Sequence, residues 1–250
     1  MYTRIKTDKE IAAMRESGRM LATVLNKLSK EIAVGMSTKD LSEIAKAELK
    51  ALGGQPTFLG YGGFPDVLCV SINDEVVHGI PRQTHTINDG DIVSMDFGVT
   101  YHGMITDAAI SVIVGKGSQA AINLVKTTEE SLQAGIFAVN GSAKIGDVSA
   151  AIQKVLDAGK YGIIRDLVGH GVGHELHEEP NIANYGKKGM GAFLQPGMTI
   201  AIEPMATLGG YKVLTDPDNW TIRTADGALA AHFEHTVLVT KDSAEILTQL

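Results

Sequence analysis

Val168 to Pro180 reads VGHGVGHELHEEP, placing three of the chain's eight histidines and three glutamates in one short stretch. A helix would bring His170, His174 and His177 onto one face, since they lie four and three apart. Gly169, Gly171 and Gly173 in the same turns oppose that helix. The stretch is therefore expected to be extended and bent at its glycines, with His170 and His177 projecting from different points of the bend. Two familiar motifs are excluded. His174-Glu175-Leu176-His177 is one residue short of the H-E-x-x-H zinc helix, and no G-K-[ST] follows the glycines to make a phosphate loop. The alternative is a glycine-rich turn with solvated histidines, and carboxylates elsewhere in the chain argue against it.

Outward from this stretch the chain repeats its own plan. Thr7 and Glu10 form a capping-box pattern, and Ile11, Met14, Gly18, Leu21, Leu25, Leu28 and Ile32 then recur at steps of three and four, predicting an amphipathic helix that ends before Gly35. A second helix is expected from Ser37 or Thr38 to Gly53-Gly54. Strands are expected over Val67 to Ile72, Asp91 to Phe97 and Tyr101 to Val114. From Ala121 the order begins again: a helix to Val139, another from Gly146 through Ala158, and a strand over Gly162 to Val168. One offset relates the halves, because 147 − 40 = 107 pairs Asp147 with Asp40 and 203 − 96 = 107 pairs Glu203 with Asp96. Gly197 falls on Gly90 by the same shift, while His78-Gly-Ile-Pro81 and His177-Glu-Glu-Pro180 match at an offset of 99. The expectation is an α+β chain, a single catalytic domain over 1–250 with an internal pseudo-repeat of roughly 7–114 and 121–240. A site at the junction would then receive a histidine and a strand-end carboxylate from each half.

Asp96, Asp107, Glu203 and Glu234 all sit in strand text. Each alone has an ordinary reading as a strand-edge charge. Together they do not, because four buried carboxylates repel and take up protons unless cations balance them. Two divalent ions carry the matching charge, and His170 adds a neutral nitrogen. Ligation dominated by oxygen, with no thiolate, points to Mn, Fe(II), Co or Zn. Such a pair lowers the pKa of a bridging water toward ~7.

The combination of GHGVGHELHEEP, Asp96 and Asp107 eleven apart, IEPM, WTIRT and FEHTVLVT resembles the type I methionine aminopeptidases, from Lys9 to the end of the chain. That resemblance implies the pita-bread fold, two pseudo-symmetric halves with a curved, mostly antiparallel sheet inside and helices outside. It also implies removal of the initiator methionine from nascent chains with a small second residue. Carried over by position, Asp96 and Asp107 bind one metal, and Asp107, His170, Glu203 and Glu234 the other, with Asp107 and Glu234 bridging. His78 and His177 match histidines that contact the scissile peptide and, with Glu203, form the catalytic set. Tyr61, Phe64, Cys69 and Trp220 fall where the family lines its methionine pocket. Phe58, Leu176 and His232 depart from the usual smaller residue, Phe and Gln, and bear on pocket shape. From Glu203 to Glu234 is only 234 − 203 = 31 positions, too few for the inserted subdomain of the type II enzymes.

Composition bounds the remaining readings. A net charge of −7 leaves no dedicated nucleic-acid surface. The Tyr211 to Arg223 loop offsets Lys212 and Arg223 with Asp216 and Asp218, so ribosome association is expected to be weak. Cys69 is the lone cysteine, MYTRIKTDKE lacks the apolar core of a leader, and no run reaches the ~18 apolar residues of a membrane span. A cytoplasmic monomer acting on the N-terminal Met of nascent polypeptides is the expectation. Two competing readings are another pita-bread hydrolase, such as a proline-specific peptidase or a creatinase, and a binding protein that has lost its metals. The second conflicts with the intact ligand set.

Overall fold

The computed structural model describes residues 3–250. Met1 and Tyr2, part of the stretch read above as lacking a leader, lie outside the described residues. Helices α1 (Asp8–Glu31) and α2 (Thr38–Leu52) open the first half, and α3 (Gln119–Phe137) and α4 (Ile145–Ala158) the second. The boundaries follow local chemistry. Thr7 and Ser37 each accept the N–H three residues on, while Glu10 and Asp40 reach back to the capping N–H groups at 2.8 Å. Gly53, in the left-handed region, ends α2.

Nine strands make the main sheet. Its central path runs Gln55–Pro56, Ile92–Tyr101, Met104–Ile113, Glu234–Val239, Thr199–Ile202, Gly169–Gly171 and Glu178–Ile182, with every pairing antiparallel. Cys69–Ile72 pairs with the Ile92 strand and Ala244–Ile246 with the Glu234 strand. Each half has its own core. Leu21, Leu25, Leu41 and Leu49 of α1 and α2 pack with Met95 and Phe97 of the sheet, and Leu124, Leu132, Val148, Ile152 and Leu156 of α3 and α4 pack with Ile200 and Ile202. Fully burying such side chains contributes ~1.5–3 kcal/mol apiece.

The offset of 107 recurs in the hydrogen bonding. Ile87 N–H donates to Met36 at 2.9 Å, and Leu194 N–H to Ala143 at 2.8 Å. Thr38 N–H donates to His85 and Ile145 N–H to Ala192, again 107 apart at both ends. Gly90 and Gly197 share φ of 92° and 90°. These contacts display the pseudo-symmetry of the pita-bread architecture at the level of single peptide groups.

Several expected boundaries move. The strand beginning near Asp91 runs on to Tyr101, because the chain reverses only at His102 and Gly103, both with positive φ. The strand expected over Gly162 to Val168 is just Gly162–Ile163, paired with Thr207 and Ala206. Beyond it Arg165 leaves the sheet and lies over the rings of Tyr185 and Tyr211. The strand expected from Val67 begins at Cys69.

Candidate active site

Strand register puts the charged residues on one face. Asp96 and Glu234 both lie opposite Ala109, one from each side, so the three form a row across the sheet with a small residue in the middle. Asp107, two residues from Ala109, shares its face. Ile202 pairs with His235, and one further step of that register sets Glu203 beside Glu234. His170 pairs with Ala201, two residues before Glu203, and therefore joins the same face. Cys69 pairs with Asp96 and brings the pocket wall alongside.

All the candidate site residues named from the sequence line one cleft of about 530 Å³, open to solvent. Asp96, Asp107, His170, Glu203 and Glu234 form its polar floor. Phe58, Phe64, Cys69, Leu176 and Trp220 form an apolar wall, with Tyr61, His78 and His177 completing the lining. Phe58 and Leu176 belong to the same packed cluster as Phe64 and Cys69, so two of the departures face one slot. His232 is different. It is 1 % exposed and does not line the cleft, but sits beside the floor carboxylates.

The floor has the chemistry of a metal site. Asp107, His170 and Glu234 offer ligand atoms within 4.8 Å of one another, and His170 Nε2 lies 3.3 Å from Glu203 Oε1. Asp96 Oδ1, Asp107 Oδ1 and Glu234 Oε1 are buried with no hydrogen-bond partner among the described residues. Burial pushes Asp96 up to about 7 and raises Asp107, Glu203 and Glu234 well above the usual carboxylate range; mutual repulsion adds to the rise in the latter three. A divalent cation would relieve both the orphaned oxygens and the repulsion, so these residues fit one. Burial lowers His170 to about 4, which keeps it neutral and suited to ligation.

The remaining histidines divide by surroundings. His177 Nδ1 shares a 2.7 Å hydrogen bond with the Tyr61 hydroxyl, which orients its ring. The rings of His170 and His177 meet edge to face at 4.4 Å. His78 has φ of 59°, a sparsely populated conformation for a residue with a side chain and one that occurs at functional sites. Burial lowers its pKa to about 4. His174 points away from the cleft lining, and its Nε2 meets Glu10 Oε1 at 2.7 Å, tying the histidine turn to α1. Cys69 lines the apolar wall, and burial pushes its thiol up, which disfavours the thiolate.

A structural strap holding the histidine turn was invisible in the sequence. Lys6 Nζ, fully buried, donates to Glu178 Oε2 at 2.9 Å, and Glu178 Oε1 accepts from the N–H groups of His174 and Glu175. Gly173 has φ of 145°, a conformation that side chains rarely adopt, and a Cβ there would also meet Lys6 Cε at 2.5 Å. No periodicity or motif links Lys6 to Glu178, 172 residues apart.

The sheet, the buried carboxylates and the neutral histidine define a hydrolase of the metallopeptidase kind. The chain matches metallopeptidase family M24 over residues 12–241. It is 43% identical over 244 residues to a methionine aminopeptidase of Clostridium acetobutylicum, covering 98% of both chains, and 43% identical over 245 residues to methionine aminopeptidase 1 of Bacillus subtilis, with the same coverage. The crystal structure of Thermotoga maritima methionine aminopeptidase superposes with a TM-score of 0.98 at 44% identity, covering 99% of this chain and 100% of that one. Prolidase from Pyrococcus furiosus shares the fold alone, with a TM-score of 0.79 at 22% identity and 65% of its length covered. This chain belongs to family M24 and, within it, to the methionine aminopeptidases.

Proposed function

We propose that this protein is a dinuclear metalloaminopeptidase that removes the N-terminal methionine from new polypeptides whose second residue is small. The observation that carries the reading is the set of buried, unpaired carboxylate oxygens on Asp96, Asp107 and Glu234 at the base of an apolar slot. Asp96 and Asp107 would hold one ion, and Asp107, His170, Glu203 and Glu234 would hold the other. Four carboxylates balance two divalent ions in charge, and Mn, Fe(II), Co and Zn all suit the donor set. Ions held there supply Lewis acidity and make a water acidic enough to ionise near neutral pH.

The chain's own residues do the rest. Glu203, 13 % exposed at the side chain and so the more open of the facing Glu203–Glu234 pair, takes a proton from the attacking water and passes it to the amine nitrogen as the scissile C–N bond breaks. His177, with Nδ1 engaged by Tyr61, offers its other ring nitrogen to the scissile peptide, and His78 does so from the matching position of the first half. Phe64, Cys69 and Trp220, with Tyr61 at the rim, receive the methionine side chain, whose flexible thioether suits an aromatic and sulfur-lined slot. Space beside His78 and His177 limits the second residue.

The reaction belongs where new chains emerge, in the cytoplasm, with a monomer acting alone. Ribosome association is weak through the Tyr211 to Arg223 segment, because Arg223 is already engaged by Asp216 and Asp74 at 2.7–2.8 Å. The test is release of methionine from Met-Ala-Ser and Met-Lys-Ser peptides by metal-free protein given each divalent ion. Metal-dependent cleavage of Met-Ala-Ser with little cleavage of Met-Lys-Ser is expected. Equal cleavage of both, or a preference for Xaa-Pro dipeptides, would overturn the substrate reading and favour the proline-specific alternative.

A further inference from the structure

His232 is the one histidine beside the floor that the proposed chemistry leaves without a task. Its side chain is 2 % exposed, and neither ring nitrogen has a hydrogen-bond partner among the described residues. A buried donor without a partner is costly, and a native structure keeps one where another group completes it. The ring has little freedom to look elsewhere. His232 N–H donates to Ser111 Oγ at 2.9 Å, the same hydroxyl donates to His232 O at 2.8 Å, and Ser94 bonds Ser111 at 2.7 Å. On its other side His232 pairs with Met205, two residues beyond Glu203.

The backbone is thus anchored beside the floor, with the buried imidazole packed among its carboxylates. Its Nε2 lies 3.9 Å from Glu203 Oε2 and 4.0 Å from Glu234 Oε2, nearly midway between two carboxylates that Proposed function assigns to the same ion. We infer that His232 is a positioning residue for the metal centre, its Nε2–H shared between Glu203 and Glu234 so that both carboxylates are held for ligation. A gap of this length closes by a small carboxylate rotation or through one water. Hydrogen-bond partners of ligating groups fix their orientation, and losing one costs ~10–100-fold in metal affinity. The departure at position 232 therefore acts on the floor of the site and not on the methionine slot.

This inference rests on the proposed metal site, and the experiment separates the two. Wild type, His232→Leu and His232→Gln are titrated with Co(II) by calorimetry, and the visible spectrum of each loaded form is recorded together with a count of coordinated imidazoles by X-ray absorption. Wild type should bind Co(II) through one imidazole. His232→Leu should bind the ion contributed by Glu203 and Glu234 ~10–100-fold more weakly, still through one imidazole, and His232→Gln, which keeps an N–H donor, should recover most of that affinity. Affinity unchanged in His232→Leu overturns the inference while leaving the site intact. Two imidazoles in wild type falling to one in His232→Leu also overturns it, since His232 would then be a ligand. Failure of wild type to bind Co(II) at all overturns the metal site itself. Circular dichroism of the metal-free variants confirms that each is folded before titration.

Discussion

Glu178 and Glu234 are equally hidden, each 2 % exposed at the side chain, yet the protein treats them in opposite ways. Glu178 has an internal cation: Lys6 donates to one oxygen and two backbone N–H groups to the other. Burial alone would raise its carboxyl, but hydrogen bonds from Thr3, Lys6 and the Glu175 N–H, with the Lys6 charge, hold it below the usual carboxylate range. Glu234 has none of this. One oxygen is orphaned, the other has only His232 at 4.0 Å, and burial with repulsion from Glu203 and Asp96 drives it well above that range. The same fold can evidently bury a lysine against a carboxylate when the purpose is structural. Where it leaves carboxylates uncompensated beside a neutral imidazole, the proposed ions would supply the missing positive charge.

The largest test removes the one nitrogen ligand of the proposed site. His170→Ala should abolish metal-dependent peptide cleavage and weaken metal binding together, because the remaining donors keep their repulsion and lose the neutral member of the set. Peptide assay and metal titration on the same preparation check this. Normal binding with normal turnover would place the ions elsewhere.

Next in size is the structural side of the comparison. Lys6→Met strands an ionised carboxylate in the interior, which costs about 3–5 kcal/mol in such pairs, whereas replacing both partners by apolar residues is often near neutral. Chemical denaturation of Lys6→Met and of Lys6→Met with Glu178→Leu should show a large loss in the first and a partial recovery in the second. Equal losses would mean that Glu178 acts mainly through its bonds to the His174 and Glu175 amides.

A smaller effect is expected in the slot. Leu176→Phe adds volume to a cluster already filled by Phe58, Phe64 and Cys69. A methylene of fit in such a pocket is worth ~1–3 kcal/mol, so discrimination between methionine and norleucine should shift by about tenfold, read as kcat/KM for the two N-termini. Folding and metal content should not change.

How much of this was legible in the sequence depended on range. Capping at Thr7 and Ser37, the end of α2 at Gly53 and the 107-residue offset rest on neighbours a few positions apart or on repeated text, and a reader of the chain finds them. The gathering of Asp96, Asp107, His170, Glu203 and Glu234 was legible because buried charge in strand text is improbable four times over. The left-handed turn at His78, the Tyr61–His177 bond and the Lys6 strap were not, since each depends on tertiary approach between residues that share no local pattern. The overlong strand expected at Gly162 to Val168 failed for a related reason. Its apolar text resembles a strand, but only two residues find a partner, and Arg165 finds stacking on tyrosines instead.

The most direct measurement is a calorimetric titration of metal-free protein with Mn(II) at pH 7, repeated in buffers of different ionisation enthalpy so that protons are counted with ions. Folded carboxylates raised above their ordinary values, Asp96 from 3.8 to about 7 and Asp107, Glu203 and Glu234 well above the usual range, bind protons that the unfolded chain has lost. Metal-free protein should accordingly lose stability as pH rises through 7, and ion binding there should displace those protons. Two ions bound per chain with net proton release is the result this account predicts. No binding, or binding without proton release, would contradict it.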